Sequence, residues 1–360
     1  MKIVIFAGGV GSRLWPMSRK NTPKQFEKIL GEKSTLQLAA ERLQPDFSWD
    51  DVYVATGKDF VDIVREQLPL LPKDHVIGEP EMRDVGPAVG LMTSLLSKLS
   101  PTEPMAILWS DHLVKQEKHF RHILQTASTI VEKEQDKIIF VAQKPRFASE
   151  NLGWIEYGKE LFTKEDVPFF SFLAFQYRPD LETAKAYFAS GHHGWNLGYF
   201  VTTPAFLLKQ FEKFAPEAYE KLQRIADAYQ KPQFKDTLFA IYPTIEKINF
   251  DNIVLEKLNP QDAYVVCENI EWSDIGAWEA LKEALSSSEE ENVEKGNVLL
   301  EDSKNSLVYN FNQQMVVGID LDDYIIVNTH DVLLVCPKTS VPKIKKFVGK
   351  LQGTDHEHLA

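Results

Sequence analysis

Three apolar runs in the first third of the chain are continuous rather than alternating: KIVIFA at 2–7, VYVAT at 52–56 and MAILWS at 105–110. Runs of this kind predict strands covered on both faces. Between them, STLQLAAERLQ at 34–44 puts Leu36, Ala39, Ala40 and Leu43 on one helical face, with Ser34 and Gln37 spaced for a capping box. A second apolar helix is predicted over 86–99 and a charged amphipathic one over 117–134. Strand-helix-strand repetition predicts an α/β fold built on a Rossmann-like, doubly wound, mainly parallel sheet. Its ligands belong at the carboxyl ends of the strands.

From about residue 150 the pattern loosens. Strand-like pieces (WIEYG, FFSFLAF, WNLGYFVTT) surround a helix at 180–190 that stops at Gly191, and two more helices are predicted over 204–229. The stretch SSSEEENVEKG at 286–296 is polar, charged and glycine-terminated, the pattern of a linker. It divides a large domain, 1–285, from a small one, 297–360. Within the latter, apolar pairs recur at Leu307-Val308, Val316-Val317, Ile325-Ile326 and Leu333-Leu334, a spacing that suits short stacked strands or a β-solenoid. A terminal helix is predicted over 339–351.

Composition narrows the function classes. Lys and Arg total 40 against 52 Asp and Glu, a net charge of −12 with no basic block. Nothing would neutralise a row of phosphates, so neither nucleic acid nor an anionic membrane is an expected partner. Cys267 and Cys336 lie far apart outside any CxxC pattern, which argues against a disulfide scaffold or structural zinc and fits a reducing cytoplasm. The apolar start MKIVIFA is too short for a signal-peptide core, and no segment reaches the ~18 apolar residues of a membrane span.

The chemistry begins at AGGVGSRLWP, directly after the first buried strand. Gly8, Gly9 and Gly11 allow positive φ and close approach of peptide N–H groups to phosphate oxygens. A Walker A loop is excluded because Arg13 stands five residues after Gly8. The dinucleotide fingerprint fails because Leu14 occupies its last glycine position. Arg13 and Lys24, just downstream, supply a forked donor and a point charge, a pairing suited to a triphosphate.

GGVGSRLWP followed by PKQF at 23–26 resembles the signature of sugar-nucleotide pyrophosphorylases, and PKQF in particular that of the GDP-mannose pyrophosphorylases. The similarity continues in chain order through EPEMRDVGPA (79–88), SDH (110–112), GWIEYG (153–158), RPDLETA (178–184), GWNLGYF (194–200), FDNIVLEK (250–257), WSDIGAW (272–278) and VNTHDVLLV (327–335). It covers essentially the whole sequence. It implies a mixed sheet of the nucleotide-diphospho-sugar transferase type, followed by a small β-helix-like domain and arranged as a homodimer.

The resemblance also implies a reaction: the phosphate of mannose 1-phosphate attacks the α-phosphorus of GTP and pyrophosphate leaves. Such a transfer needs an in-line arrangement and neutralisation of phosphate charge, which Mg²⁺ held by one or two carboxylates provides. The matching aspartates here are Asp111, at the end of one strand, and Asp274, in WSDIG. The family's nucleotide contacts fall on Glu79, Gly86, Pro87 and Ala88, with Glu79 suited to accept from guanine N–H groups. Its sugar-phosphate contacts fall on Gly153, Glu156, Arg178 and Asn196. Two departures stand out. Asp84-Val85-Gly86 replaces the usual Asn-Thr-Ala, and Tyr177-Arg178-Pro179 replaces Glu-Lys-Pro. Asp251 and Glu256 lie in a matched segment, but a helix N-cap explains Asp251 equally well.

Three other readings stay open on the residues alone. They are a pyrophosphorylase for another nucleotide or hexose phosphate, a catalytically silent regulatory subunit, and a dinucleotide oxidoreductase, the last disfavoured by the failed fingerprint. Every candidate ligand precedes the linker, so the region beyond 292 is expected to serve assembly, and a 1–291 chain to keep measurable activity.

Overall fold

The computed structural model describes every residue except Val10 of the glycine loop, and of Ser12 only the backbone. In chain order the first elements are β1 (Lys2–Ala7), α1 (Thr35–Glu41), β2 (Val52–Gly57), α2 (Val61–Gln67), β3 (Val76–Glu79), α3 (Val85–Leu99) and β4 (Met105–Trp109). Next come β5 (His112–Val114), α4 (Glu117–Val131), β6 (Ile138–Gln143), β7 (Gly153–Lys164), β8 (Val167–Gln176), α5 (Leu181–Ser190) and β9 (His193–Thr202). Helices α6 (Pro204–Phe214), α7 (Pro216–Ala226), α8 (Phe234–Ile241) and α9 (Phe250–Ile253) precede β10 (Ala263–Glu268), β11 (Trp272–Asp274) and α10 (Trp278–Leu285). The C-terminal elements are β12 (Val293–Lys295), β13 (Val298–Glu301), β14 (Leu307–Asn310), β15 (Val316–Ile319), β16 (Tyr324–Asn328), β17 (Leu333–Pro337) and α11 (Pro342–Leu351).

The chain divides into two compact units that do not follow chain order. The first comprises residues 1–7, 40–109 and 114–272; the second comprises 8–39, 110–113 and 273–360.

A nine-stranded sheet in the order β3-β2-β1-β4-β9-β6-β10-β8-β7 organises the first unit. The β3-β2-β1-β4 half is parallel throughout, as continuous apolar runs and intervening helices require. Beyond β4 the sheet is mixed: β9 runs antiparallel to β4 and β6, β10 is parallel to β6, and β7 and β8 form a long antiparallel ribbon. Residues Ile3 to Ala7 are buried. Val4, Phe6, Ile107, Phe140 and Phe200 of the sheet pack with Met92 and Leu95 of α3, Phe211 of α6 and Leu222 of α7. Helix α5 ends on Gly191 at φ 68°, the left-handed conformation that glycine adopts at least cost.

In the second unit the C-terminal strands stack as rungs. β14 pairs in parallel with β12 and β16, β15 with β13, and β17 closes antiparallel on β16. The Leu307↔Ile325 register joins two of the recurring apolar pairs read from the sequence, and Val316 of a third pairs with Val298. Asn328 Nδ2 donates to Asn310 Oδ1 at 3.0 Å, satisfying polar groups between rungs. One core joins these rungs to the glycine-loop segment: Leu14, Trp15, Met17 and Ile29 pack with Ile275, Trp278, Leu281, Leu307, Tyr309, Ile325, Val341 and Ile344. The capping box at α1 forms as expected, with Ser34 N donating to Gln37 Oε1 at 3.0 Å and Gln37 N to Ser34 Oγ at 3.1 Å. No helix among the described residues is long and apolar enough to cross a membrane.

Candidate active site

The glycine loop leaves β1 at its carboxyl end. Gly9 (φ 96°) and Gly11 (φ 64°) take up positive φ, and Gly8 and Gly9 are exposed. Gly11 is required for a second reason. A Cβ there would stand 2.7 Å from Lys24 Cγ and 2.8 Å from Cδ, so the loop backbone and the lysine stem share one space. Lys24 is buried, and its ammonium donates to Ile275 O at 2.9 Å and pairs with Asp111 Oδ2 at 2.8 Å.

The two aspartates meet around that lysine. Ile275 N donates to Asp111 O at 3.3 Å, which places the turn after β4 beside the turn after β11. Burial pushes the Asp111 carboxyl up, but Lys24 and His112 outweigh it and hold it at about 2. Asp274 is pushed up to about 6, first by burial and then by the neighbouring Asp111 charge, against the pull of Lys24 and Arg13. A Cβ on Gly276 would stand 3.1 Å from Arg13 Nη2 and 3.3 Å from Asp274 Oδ2, so the guanidinium and the carboxylate both close on that glycine. Arg13, Lys24, Asp111 and Asp274 are therefore brought together. Two carboxylates between two cations form a hard oxygen donor set that leaves further positions for phosphate and water, as Mg²⁺ prefers. Among the described residues no cluster of three or more His, Cys, Asp or Glu exists to suit a metal held wholly by protein.

In the first unit, Glu79 ends β3 and its Oε2 accepts from Tyr242 Oη at 2.5 Å. Burial raises its carboxyl to about 7, against the opposing effect of that hydrogen bond. Gly86, Pro87 and Ala88 form the buried first turn of α3. Gly86 N donates to Ile248 O at 2.9 Å, and a Cβ would stand 2.5 Å from that oxygen, so close packing accounts for the glycine.

Gly153 and Asn196 face each other across β7 and β9, and Asn196 Oδ1 accepts from Gly198 N at 3.0 Å. Glu156 is not brought to them. It stands three residues along β7, opposite His193, so the pleat turns it to the other face. There burial lowers His193 and the Glu156 charge partly restores it. Arg178 sits at φ 44°, exposed, with its guanidinium 5.0 Å from the centre of the Tyr177 ring.

Two residues outside the expected site set bear on it. Tyr242 holds Glu79 from a 3-10 turn with no motif of its own. Asp251 does not cap α9; Asn249 does, accepting from Asp251 N at 2.8 Å. The Asp251 carboxyl instead rises to about 6 through burial and the Glu256 charge, with Arg178 pulling it back down. The unused signal was Asn249, one residue ahead of the apolar Phe250 and a better-placed cap.

Glu79 makes stability depend on pH. Its folded value of about 7 lies above the ordinary 4.5, so folding favours the protonated form. The stabilisation is complete below pH 4.5 and is lost as pH rises through about 7, by up to about 3 kcal/mol. The parent should therefore lose more Tm between pH 5 and pH 8 than Glu79→Gln. Parallel Tm–pH curves for the two proteins would contradict this.

A nucleotidyl transferase family model matches residues 2–291, and a MannoseP isomerase/GMP-like β-helix domain model matches residues 296–351. Mannose-1-phosphate guanylyltransferase 2 of Escherichia coli O157:H7 is 33% identical over 97% of this chain and 73% of its own length. Mannose-1-phosphate guanylyltransferase of Escherichia coli strain K12 is 31% identical over 99% and 74%, respectively. The structure of a mannose-1-phosphate geranyltransferase from Thermus thermophilus matches with a TM-score of 0.86 at 26% identity, covering 98% of this chain and 99% of that one. With the family model spanning most of its length and relatives above 30% identity over nearly all of this chain, it belongs to the nucleotidyl transferase family, in the form that carries a GMP-like β-helix domain behind the transferase.

Proposed function

We propose that this nucleotidyltransferase joins GTP and mannose 1-phosphate into GDP-mannose and pyrophosphate, and that it does so in the cytoplasm. The observation that carries the mechanism is the Lys24 ammonium 2.8 Å from Asp111, with Asp274 and Arg13 closing on Gly276. An oxygen of the sugar phosphate forms the new bond to the α-phosphorus of GTP. The bond from that phosphorus to the α,β-bridging oxygen breaks, and pyrophosphate leaves with the electron pair. Arg13, Lys24 and the glycine-loop amides hold the triphosphate and take up charge as it develops on the leaving group. Asp111 and Asp274 would hold Mg²⁺, which when bound supplies Lewis-acid neutralisation of phosphate oxygens. With Tyr242 fixing one oxygen of Glu79, the other accepts from the guanine N–H groups.

Asn196 and Arg178 receive the sugar phosphate, and the Arg178 charge also reaches the buried Asp251 carboxyl. Glu156 has no part in this set because it faces away from Asn196. Arginine at position 178 retains the charge of the family's lysine and adds a forked donor. A charged hydrogen bond of this kind is worth roughly 1.5–3 kcal/mol, so Arg178→Ala should lower kcat/KM for mannose 1-phosphate by about ten- to a hundredfold. Arg178→Lys should cost much less, and GTP affinity should barely move in either variant. Unchanged sugar-phosphate kinetics in the alanine variant would make Arg178 an ordinary surface residue.

The overall reading is tested by mixing the protein with GTP and mannose 1-phosphate and following both products. Equal amounts of GDP-mannose and pyrophosphate should form, cease on chelation and return with Mg²⁺. Pyrophosphate release from GTP alone would mark a hydrolase instead.

A further inference from the structure

The loop that carries Arg13 and Lys24 is tied down by residues from the far end of the chain. Arg19 donates through Nη1 and Nη2 to the two carboxylate oxygens of Asp331, at 2.7 and 2.6 Å, and through Nε to Pro16 O at 3.0 Å. One planar guanidinium thus closes the turn 16–19 and fastens it to Asp331. Arg19 and Thr22 then exchange backbone hydrogen bonds at 3.0 and 3.1 Å, and Lys24 follows two residues later in its 3-10 turn. Asp331 is itself fixed, since its Oδ1 accepts from Thr329 Oγ1 at 3.0 Å in a turn closed by Thr329 and Val332. Further ties run the same way. Trp15 Nε1 donates to Leu359 O at 2.6 Å, and Lys295 Nζ donates to the carbonyls of Lys28 and Ile29, each at 3.2 Å.

Exposed ion pairs generally contribute little. This one is bidentate, and only 15% and 25% of its side chains are exposed. The Arg19 hydrogen bonds outweigh burial and hold the Asp331 carboxyl at about 2, so the pair is charged throughout the neutral range.

We propose that Asp331 is a positioning residue for nucleotidyl transfer, acting through Arg19 to set the segment that presents Lys24 to the triphosphate. The proposal rests on the reading of the glycine loop and Lys24 as the triphosphate cradle. Neither Arg19 nor Asp331 touches the reacting atoms, so their loss loosens the cradle and leaves sugar binding alone.

Steady-state kinetics of the full-length protein test it. In Asp331→Asn the KM for GTP should rise about tenfold, while the KM for mannose 1-phosphate stays within about twofold and Tm within about 3 °C. Asp331→Glu should recover most of the GTP affinity. A GTP KM within about twofold of the parent in Asp331→Asn overturns the proposal. So does a joint rise of both KM values with a fall in Tm, which marks a merely structural pair. Lys24→Met, assayed alongside, separates the two levels. If it abolishes turnover while Asp331→Asn changes nothing, only the positioning role falls; if it too is fully active, the cradle reading falls with it.

Discussion

Asp111→Asn and Asp274→Asn should each lower kcat by about 10²–10³, the usual cost of about 3–4 kcal/mol when one preorganised charge is lost from a transition-state site. Asparagine keeps the volume of both side chains and removes only the charge. The two variants should then part company in stability. Asp111 is ionised and paired at 2.8 Å with a buried lysine. Its folded value of about 2 lies below the ordinary 3.8, so it contributes stability above pH 3.8 that is lost as pH falls through about 2. Removing it leaves Lys24 short of a counter-charge, and Tm at pH 7.5 should fall. Asp274 has the opposite sign. Its value of about 6 lies above 3.8, so stability is fullest below pH 3.8 and declines as pH rises through about 6. At pH 7.5 the ionised group is therefore a burden on the metal-free fold, and Asp274→Asn should melt at or above the parent. Turnover at saturating Mg²⁺ and melting in chelator read out both halves. Near-parental kcat in either variant would remove that aspartate from the metal site.

A chain ending at residue 291 should have no measurable turnover. Every candidate ligand precedes that point, which on sequence alone leaves the later region to assembly. In the folded protein, however, Leu307, Tyr309, Ile325, Val327, Val341 and Ile344 share one core with Leu14, Trp15, Met17 and Ile29 of the glycine-loop segment. At about 1.5–3 kcal/mol per buried apolar side chain, deleting them forfeits on the order of 10 kcal/mol. That is comparable to the whole stability of a typical domain, about 5–15 kcal/mol. The segment would also lose the carbonyl of Leu359 that receives the Trp15 N–H and the Asp331 that holds Arg19. The check is turnover and GTP binding by the truncated chain across a range of concentrations. A folded 1–291 protein with parental GTP affinity would refute it.

What could be read from the sequence was local. Continuous apolar runs located β1, β2 and β4. Helical periodicity located α3, α6 and α7, and Ser34 with Gln37 marked the start of α1. The nine-residue beat from Leu307 through Val316 to Ile325 is the alternation between the two ladders of the C-terminal stack, and Leu333-Leu334 breaks it because β17 returns antiparallel on β16. The glycine loop stood out because it follows a strand end, and the two aspartates because SDH and WSDIG resemble family motifs. The remainder depends on partners remote in sequence. Tyr242 meets Glu79 across 163 positions, and Arg19 meets Asp331 across 312. Nor does any periodicity announce that β9 inserts between β4 and β6, antiparallel to both. A motif gives spacing along the strand, whereas the pleat decides which face a side chain takes, and so Glu156 lies opposite His193 rather than beside Asn196.

The most direct measurement is a pyrophosphate-release panel of GTP, ATP, UTP and dTTP, each paired with mannose 1-phosphate and with glucose 1-phosphate, in Mg²⁺. GTP with mannose 1-phosphate should give the highest kcat/KM, exceeding the other nucleotides by at least about tenfold, the least that one lost charged hydrogen bond at Glu79 is worth. An equal or larger kcat/KM for any other pair would contradict the assignment, and no turnover with any pair would mean that the clustered Arg13, Lys24, Asp111 and Asp274 do not catalyse nucleotidyl transfer.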